Sequence, residues 1–140
     1  MSVARAARTA FGWIAWLFVV CVVVQFFLAG LGVFAGAENF ATHRDFGYTF
    51  GWLLVLLLIT GIVGRAGRVA IGATLGLMIL FTMQSVLVAV RSSAPVIAAL
   101  HPLNGVAIFT IALWLARRAM RWPARAGAAE DPAAPGEVIG

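Results

Sequence analysis

QSVLVAVRSSAPVIAALHPLNG, residues 84–105, leaves one apolar run, crosses a short polar turn and begins the next run with a histidine. The first half of the chain holds its counterpart, QFFLAGLGVFAGAENFATHRDFG, residues 25–47. Gln25 precedes His43 by 18 residues and Gln84 precedes His101 by 17. Each histidine has a glycine four positions later, Gly47 or Gly105. These are the only two histidines in the chain, and they fall at equivalent places in two copies of one unit: span, outer turn, histidine, span. The repeat predicts an all-α protein of four membrane spans, assembled from two helix pairs.

Composition points to the membrane. The 140 residues are 63% hydrophobic and 11% charged, with a mean hydropathy of +1.02. A water-soluble domain needs more charge than this to cover its surface. Apolar runs of about 20 residues are long enough to cross a hydrocarbon layer about 30 Å thick. All ten positive charges are arginine and none is lysine, which with the many alanines suggests a GC-rich bacterial genome. The net charge of +5 could suggest nucleic acid, but the arginines sit at the ends of spans, where anchoring and topology account for them. No nucleic-acid partner is expected. Cys21 stands alone in an apolar run, so it forms no intramolecular disulfide and reads as a small apolar residue.

In chain order, residues 1–9 form a short cytoplasmic N-terminus carrying Arg5 and Arg8. The transmembrane domain is expected over residues 10–118, with spans at about 11–34, 43–64, 69–90 and 95–116. Ala35-Gly36-Ala37 imitates a signal-cleavage site, but the apolar run before it is about twice the usual length of a signal core. The first span is therefore expected to be retained, with Trp13 and Trp16 near its entry side. Asn39 or Thr42 suits the cap of the second helix, and Ser93 before Pro95 suits the start of the fourth. Pro102 falls inside the fourth span and predicts a kink. Residues 119–140, rich in Ala, Pro and Gly, read as a disordered tail.

Arginine placement sets the expected orientation. Eight of the ten lie at the N-terminus, in the middle turn and after the fourth span; only Arg44 and Arg91 lie in the other two turns. The positive-inside rule then puts both termini in the cytoplasm, with an up-down-up-down bundle in the cell (inner) membrane. Glu38, His43, Asp45, Arg91 and His101 all lie toward the outer face. No carboxylate lies deep within a span, so nothing marks a proton-pumping or ion-conducting path.

In such a bundle the second and fourth spans are diagonal, roughly 12–14 Å apart. Two histidines facing across that gap leave room for one planar metal ring, and haem iron accepts axial histidine. His43 and His101 are thus candidate metal ligands for haem b. Gly47 and Gly105, on the same helix faces, would provide a flat space beneath each ring. Arg44 and Arg91 at the rim would pair with carboxylates such as haem propionates. Simpler readings stand beside these. Gly47-x3-Gly51 and Gly72-x3-Gly76 are also small-residue packing faces, whereas Gly61 and Gly64 are expected to be less constrained. The histidines and arginines also suit interfacial positions, and Gln25 and Gln84 suit hydrogen bonds between helices. The leading expectation is a haem-binding membrane protein for electron transfer or haem handling, alone, as a homo-oligomer or within a larger complex. Its rivals are a non-enzymatic accessory or structural subunit and a quinone site at the outer rim. No catalytic residue is assigned.

The pattern resembles one half of the haem A synthase family, whose members fuse two four-helix halves that each use histidines of the second and fourth spans near the outer face. The matching residues are Gln25, Gly30, Gly32, His43-Arg44 and Gly47 in the first unit, and Gln84, Val88, Pro95, Ala99-Leu100-His101 and Gly105 in the second. The resemblance covers about residues 20–115 and implies haem held by His43 and His101. A chain with only one half would need a second copy to hold both a substrate haem and a cofactor haem. Phe40 stands where that family's substrate half tends to carry an acid, and the outer cysteine pair of many members is absent. These departures leave haem binding, rather than the synthase reaction, as what the resemblance implies. The chain also resembles short four-span bacterial membrane proteins with HR-x-x-G and LHP-x-N signatures.

Overall fold

The long helices are apolar on all sides, the pattern of helices that meet protein on one face and lipid on the other. The computed structural model describes residues 2–121. They form helices α1 (Val3–Phe34), α2 (Phe40–Val63), α3 (Arg68–Ala89), α4 (Pro95–Ala98) and α5 (Leu100–Met120), with a 3-10 turn, Ala37–Asn39, ahead of α2. No strand occurs among the described residues. Four segments are long and apolar enough to cross a membrane: Val3–Phe34, Ala37–Val63, Arg68–Ala89 and Pro95–Met120. Even α3, with 22 residues, is about 33 Å long, enough for a hydrocarbon core of about 30 Å. The chain is an all-α, multi-pass membrane protein.

The helices form a ring. α1 packs against α2 and α5, and α3 packs against the same two, which leaves α2 and α5 diagonal. Neighbours run antiparallel. Gly32 meets the Phe40 ring while Gly64 meets the backbone of Arg8. Gly51 and Gly61 of α2 meet Phe81 and Ile71 of α3, and Gly12 and Phe26 of α1 meet Met120 and Gly105 of α5.

Lipid tails are as apolar as leucine, so burial alone does not drive these helices together; close packing and interhelical hydrogen bonds do. Phe11, Phe18, Leu57, Leu77 and Leu115 are fully buried. Phe18, Phe50 and Phe81 come from three helices and meet at centroid distances of 5.3–6.1 Å, within the range of favourable aromatic pairs. Trp13, Phe27, Trp52, Ile79 and Leu103 point outward, as a lipid-facing surface requires. Thr49, Thr60, Thr74, Thr82 and Thr110 avoid an unsatisfied hydroxyl by donating to the carbonyl four residues back, as Thr74 does to Ala70 at 2.9 Å.

Several boundaries and caps differ from expectation. α1 begins at Val3, capped by the Ser2 side chain, so most of the expected N-terminal segment 1–9 is helical. α5 continues to Met120 and buries Ala119, past the expected end of the span; the expected tail from residue 122 onward lies outside the described residues. The fourth span is broken at Ala99 instead of kinked at Pro102. Pro102 thereby falls in the first turn of α5, where its missing N–H would have had no intrahelical partner. Asn39 does not cap α2 through its side chain but donates its amide to Gly36 O at 3.1 Å, closing the turn. Ser93 bonds back to Val90 O at 3.3 Å, at the end of α3.

The glycines also sort differently. Gly72 and Gly76 pack against nothing within 4 Å of an added Cβ, so they form no packing face within the bundle. Gly61 and Gly64 are tight instead: a Cβ on Gly64 would stand 2.7 Å from Thr60 O and 2.9 Å from Arg8 N. Arg8 also donates from Nε to Gly64 O at 2.9 Å, binding the start of α1 to the end of α2.

Candidate functional site

His43 lies in the first turn of α2 and His101 in the first turn of α5, at the same end of the bundle and on diagonal helices. Both are half-buried. Their ring centroids are 6.2 Å apart with the planes inclined at 62°. His43 Nδ1 lies 3.1 Å from the backbone oxygen of Gln25, and His101 Nδ1 lies 3.2 Å from that of Gln84. The repeat seen in the sequence is therefore a repeat of contacts.

The tautomers follow from this geometry. A backbone carbonyl only accepts, so each Nδ1 must carry its proton and donate it. In the neutral ring Nε2 is then an unprotonated lone pair. Neither Nε2 has a hydrogen-bond partner among the described residues. Two fixed imidazoles, each with a lone pair to offer, make a site for an electrophile. Metal-ligating histidines characteristically donate their other ring nitrogen to a carbonyl or carboxylate, which fixes the ring and raises its basicity.

The spacing suits one metal ion between two rings. A metal–imidazole bond is about 2.0 Å, so two coordinating nitrogens stand about 4 Å apart and their ring centroids about 6 Å. The two centroids are 6.2 Å apart and the rings meet edge to face, a separation that ordinary ring contacts also show. Among the described residues no group of three or more His, Cys, Asp or Glu could hold a metal, so a protein-only cage is not formed.

The surrounding residues divide into two sets. Gly47 and Gly105 make room for glutamine amides and not for a flat open face. A Cβ on Gly47 would stand 2.7 Å from Gln25 Nε2, and one on Gly105 would stand 3.3 Å from Gln84 Nε2. Gln25 Nε2 donates to His43 O at 2.8 Å, so this residue grips His43 by both its side chain and its carbonyl. Arg44 is exposed and paired with its neighbour Asp45 at 2.8 Å. Arg91 is exposed and donates to Val88 O at 3.4 Å, at the end of its own helix. Among the described residues neither arginine is hydrogen-bonded to a histidine ring.

Asn104, the last residue of the LHP-x-N signature, belongs to the site, although the sequence reading gave it no role. Its Nδ2 donates to Leu80 O at 2.8 Å and to Gln84 Oε1 at 2.9 Å. The signal was available, as an amide three residues after His101 on an otherwise apolar helix. The corresponding position in the first unit is Phe46, which donates nothing, and there Gln25 Oε1 is sealed without a partner. The two halves are equivalent at the histidines and unequal one turn below.

Comparison with known proteins adds a partial match without a chemistry. A family of unknown function (DUF6220) matches residues 25–91, just under half of the chain. The match begins at Gln25, includes His43 and Gln84, and stops short of His101. No curated protein and no solved structure matches the chain.

Proposed function

We propose that this membrane protein holds the iron of one b-type haem between Nε2 of His43 and Nε2 of His101, and serves electron transfer or haem handling. The observation that carries the reading is the fixed pair: ring centroids 6.2 Å apart, with each Nδ1 turned to a backbone carbonyl. Haem with two histidine ligands supplies a one-electron carrier. The residues of the chain do the rest. Gln25 and Gln84 hold the rings in one tautomer through their carbonyls. Phe18, Phe50 and Phe81 fill the bundle on the inner side of the site and exclude water from below. Arg44 and Arg91, at the rim, are in the region where propionates would emerge. The arginine distribution supports an inner-membrane location with both termini cytoplasmic and the site toward the outer face.

The test is an absorption spectrum of protein purified in mild detergent from haem-replete cells. The expected spectrum is that of low-spin, six-coordinate iron, with sharp bands on reduction, and His43→Ala and His101→Ala should each abolish it while the bundle remains folded. A second reading, an accessory subunit of a homo-oligomer or larger complex, is favoured by one observation: Gly72 and Gly76 leave an open small-residue face on α3. On that reading the protein is colourless and both variants behave like the parent.

A further inference from the structure

The end of the bundle opposite the histidines carries a groove between the end of α2 and the start of α3, about 450 Å³ in volume. The groove is shallow and open on the outer side of the two helices. Ile62, Ile71, Gly72 and Leu75 make its floor apolar, and Arg65 and Arg68 stand at its mouth. Both arginines are exposed. The acidic residues among the described ones, Glu38 and Asp45, lie at the far end, so among the described residues neither arginine has an acidic partner.

Arg65 also occupies an unfavourable conformation. It follows the end of α2 with φ of 53°, the left-handed position where helices usually place glycine. Ala66 N bonds to Gly61 O at 2.9 Å and Arg65 N to Ile62 O at 3.1 Å, so the turn is the common glycine-type stop with an arginine in its key place. With glycines on both sides, at Gly64 and Gly67, a third would have been the relaxed choice. A side chain kept at such a cost calls for an explanation in what it contacts.

We propose that this groove binds one anionic phospholipid, with an acyl chain along Ile62, Ile71, Gly72 and Leu75 and the phosphate between Arg65 and Arg68. The apolar floor lies on membrane-spanning helices and the charges lie at their ends, so the site is divided as a lipid is. Basic groups at helix ends attract anionic headgroups, and pockets between spans on a basic side recognise them. A zwitterionic lipid has the same chains but lacks the net charge, and a soluble phosphate has the charge but nothing to fill the floor. The site is independent of the proposed haem site.

The experiment uses full-length protein in mild detergent, titrated with phosphatidylglycerol or phosphatidylcholine of identical chains and read by native mass spectrometry. Phosphatidylglycerol should be retained about ten-fold more tightly or better. The double variant Arg65→Gln/Arg68→Gln should lose that preference, whereas Arg117→Gln/Arg118→Gln, which removes equal charge at the same end outside the groove, should keep it. Gly72→Leu adds bulk where the protein has open space, so it should fold normally and weaken retention of phosphatidylglycerol by filling the floor. Glycerol phosphate should not displace the lipid. Equal retention of the two lipids by the parent overturns the proposal, as does equal loss in both arginine pairs, unchanged retention in Gly72→Leu, or displacement by glycerol phosphate.

Discussion

At the scale of single residues, the site depends on which polar atoms are satisfied. Each histidine spends Nδ1 on a backbone carbonyl, a contact that survives any change of the partner's side chain. Gln25→Leu should therefore leave His43 in place. It removes one hydrogen bond, to His43 O, but also removes the sealed and unpartnered Oε1, so its cost should be small. Asn104→Leu is the harsher change. It removes a second bond to Leu80 O, which keeps its helical N–H partner, and leaves Gln84 Oε1 without its donor in an apolar bundle, where each such interhelical bond contributes about 0.6–2 kcal/mol. Thermal unfolding followed by circular dichroism in detergent should show a clearly lower midpoint for Asn104→Leu than for Gln25→Leu. Equal midpoints would mean that the asymmetry between the two halves has no energetic weight. The histidines were legible in the sequence because they recur in register. Asn104 was visible as the end of the LHP-x-N signature, but its role was not, because its counterpart is Phe46 and no repeat marks it.

At the scale of helices and turns, the number of spans was legible from apolar length, and their ends less so. Ser2 extends α1 by a cap that a hydropathy pattern does not register, and Ala99 takes the break assigned to Pro102. Which face of each helix points inward was barely legible, for a physical reason. In water the apolar stripe marks the inner face, but here lipid accepts apolar side chains as readily as the core does. Glycine spacing alone thus suggested a packing face at Gly72 and Gly76, which is open, and missed the close approach at Gly64. Two outcomes follow. Gly76→Leu should leave the unfolding midpoint of the isolated bundle nearly unchanged. Gly64→Leu should prevent its assembly, since the added Cβ meets backbone atoms of Thr60 and Arg8 that cannot move as side chains can. In the turn that follows, Arg65→Gly should raise stability by about 1 kcal/mol, because it relieves a left-handed residue without removing a packed side chain. A fall in stability would show that the guanidinium contributes more to the free protein than its backbone strain costs.

At the scale of the whole molecule, the two helix pairs are halves of one object and neither is complete alone. The first half contributes Phe18, Phe50 and His43; the second contributes Phe81 and His101. Their interface runs the length of the bundle, through α1 against α5 and α2 against α3. The connection between them is the short turn around Gly64–Gly67, which ends α2 with its own hydrogen bonds and leaves Gly67 free of close contacts. Cutting the chain there should therefore preserve the packing. Residues 1–66 and 67–140, expressed together with a purification tag on one, should be recovered as a pair from the membrane. Phe81→Ala should weaken that recovery, because it removes one of the rings that meet from three helices; Phe81 is partly buried, so the cost should fall below the ~3–5 kcal/mol typical of a fully buried phenylalanine. The same cut tests the proposed haem site, since each half offers one axial nitrogen. Haem absorption should appear in the recombined pair and in neither half expressed alone. A six-coordinate spectrum from a single half would mean that the second ligand is not the other histidine, and the pairing of His43 with His101 would have to be abandoned.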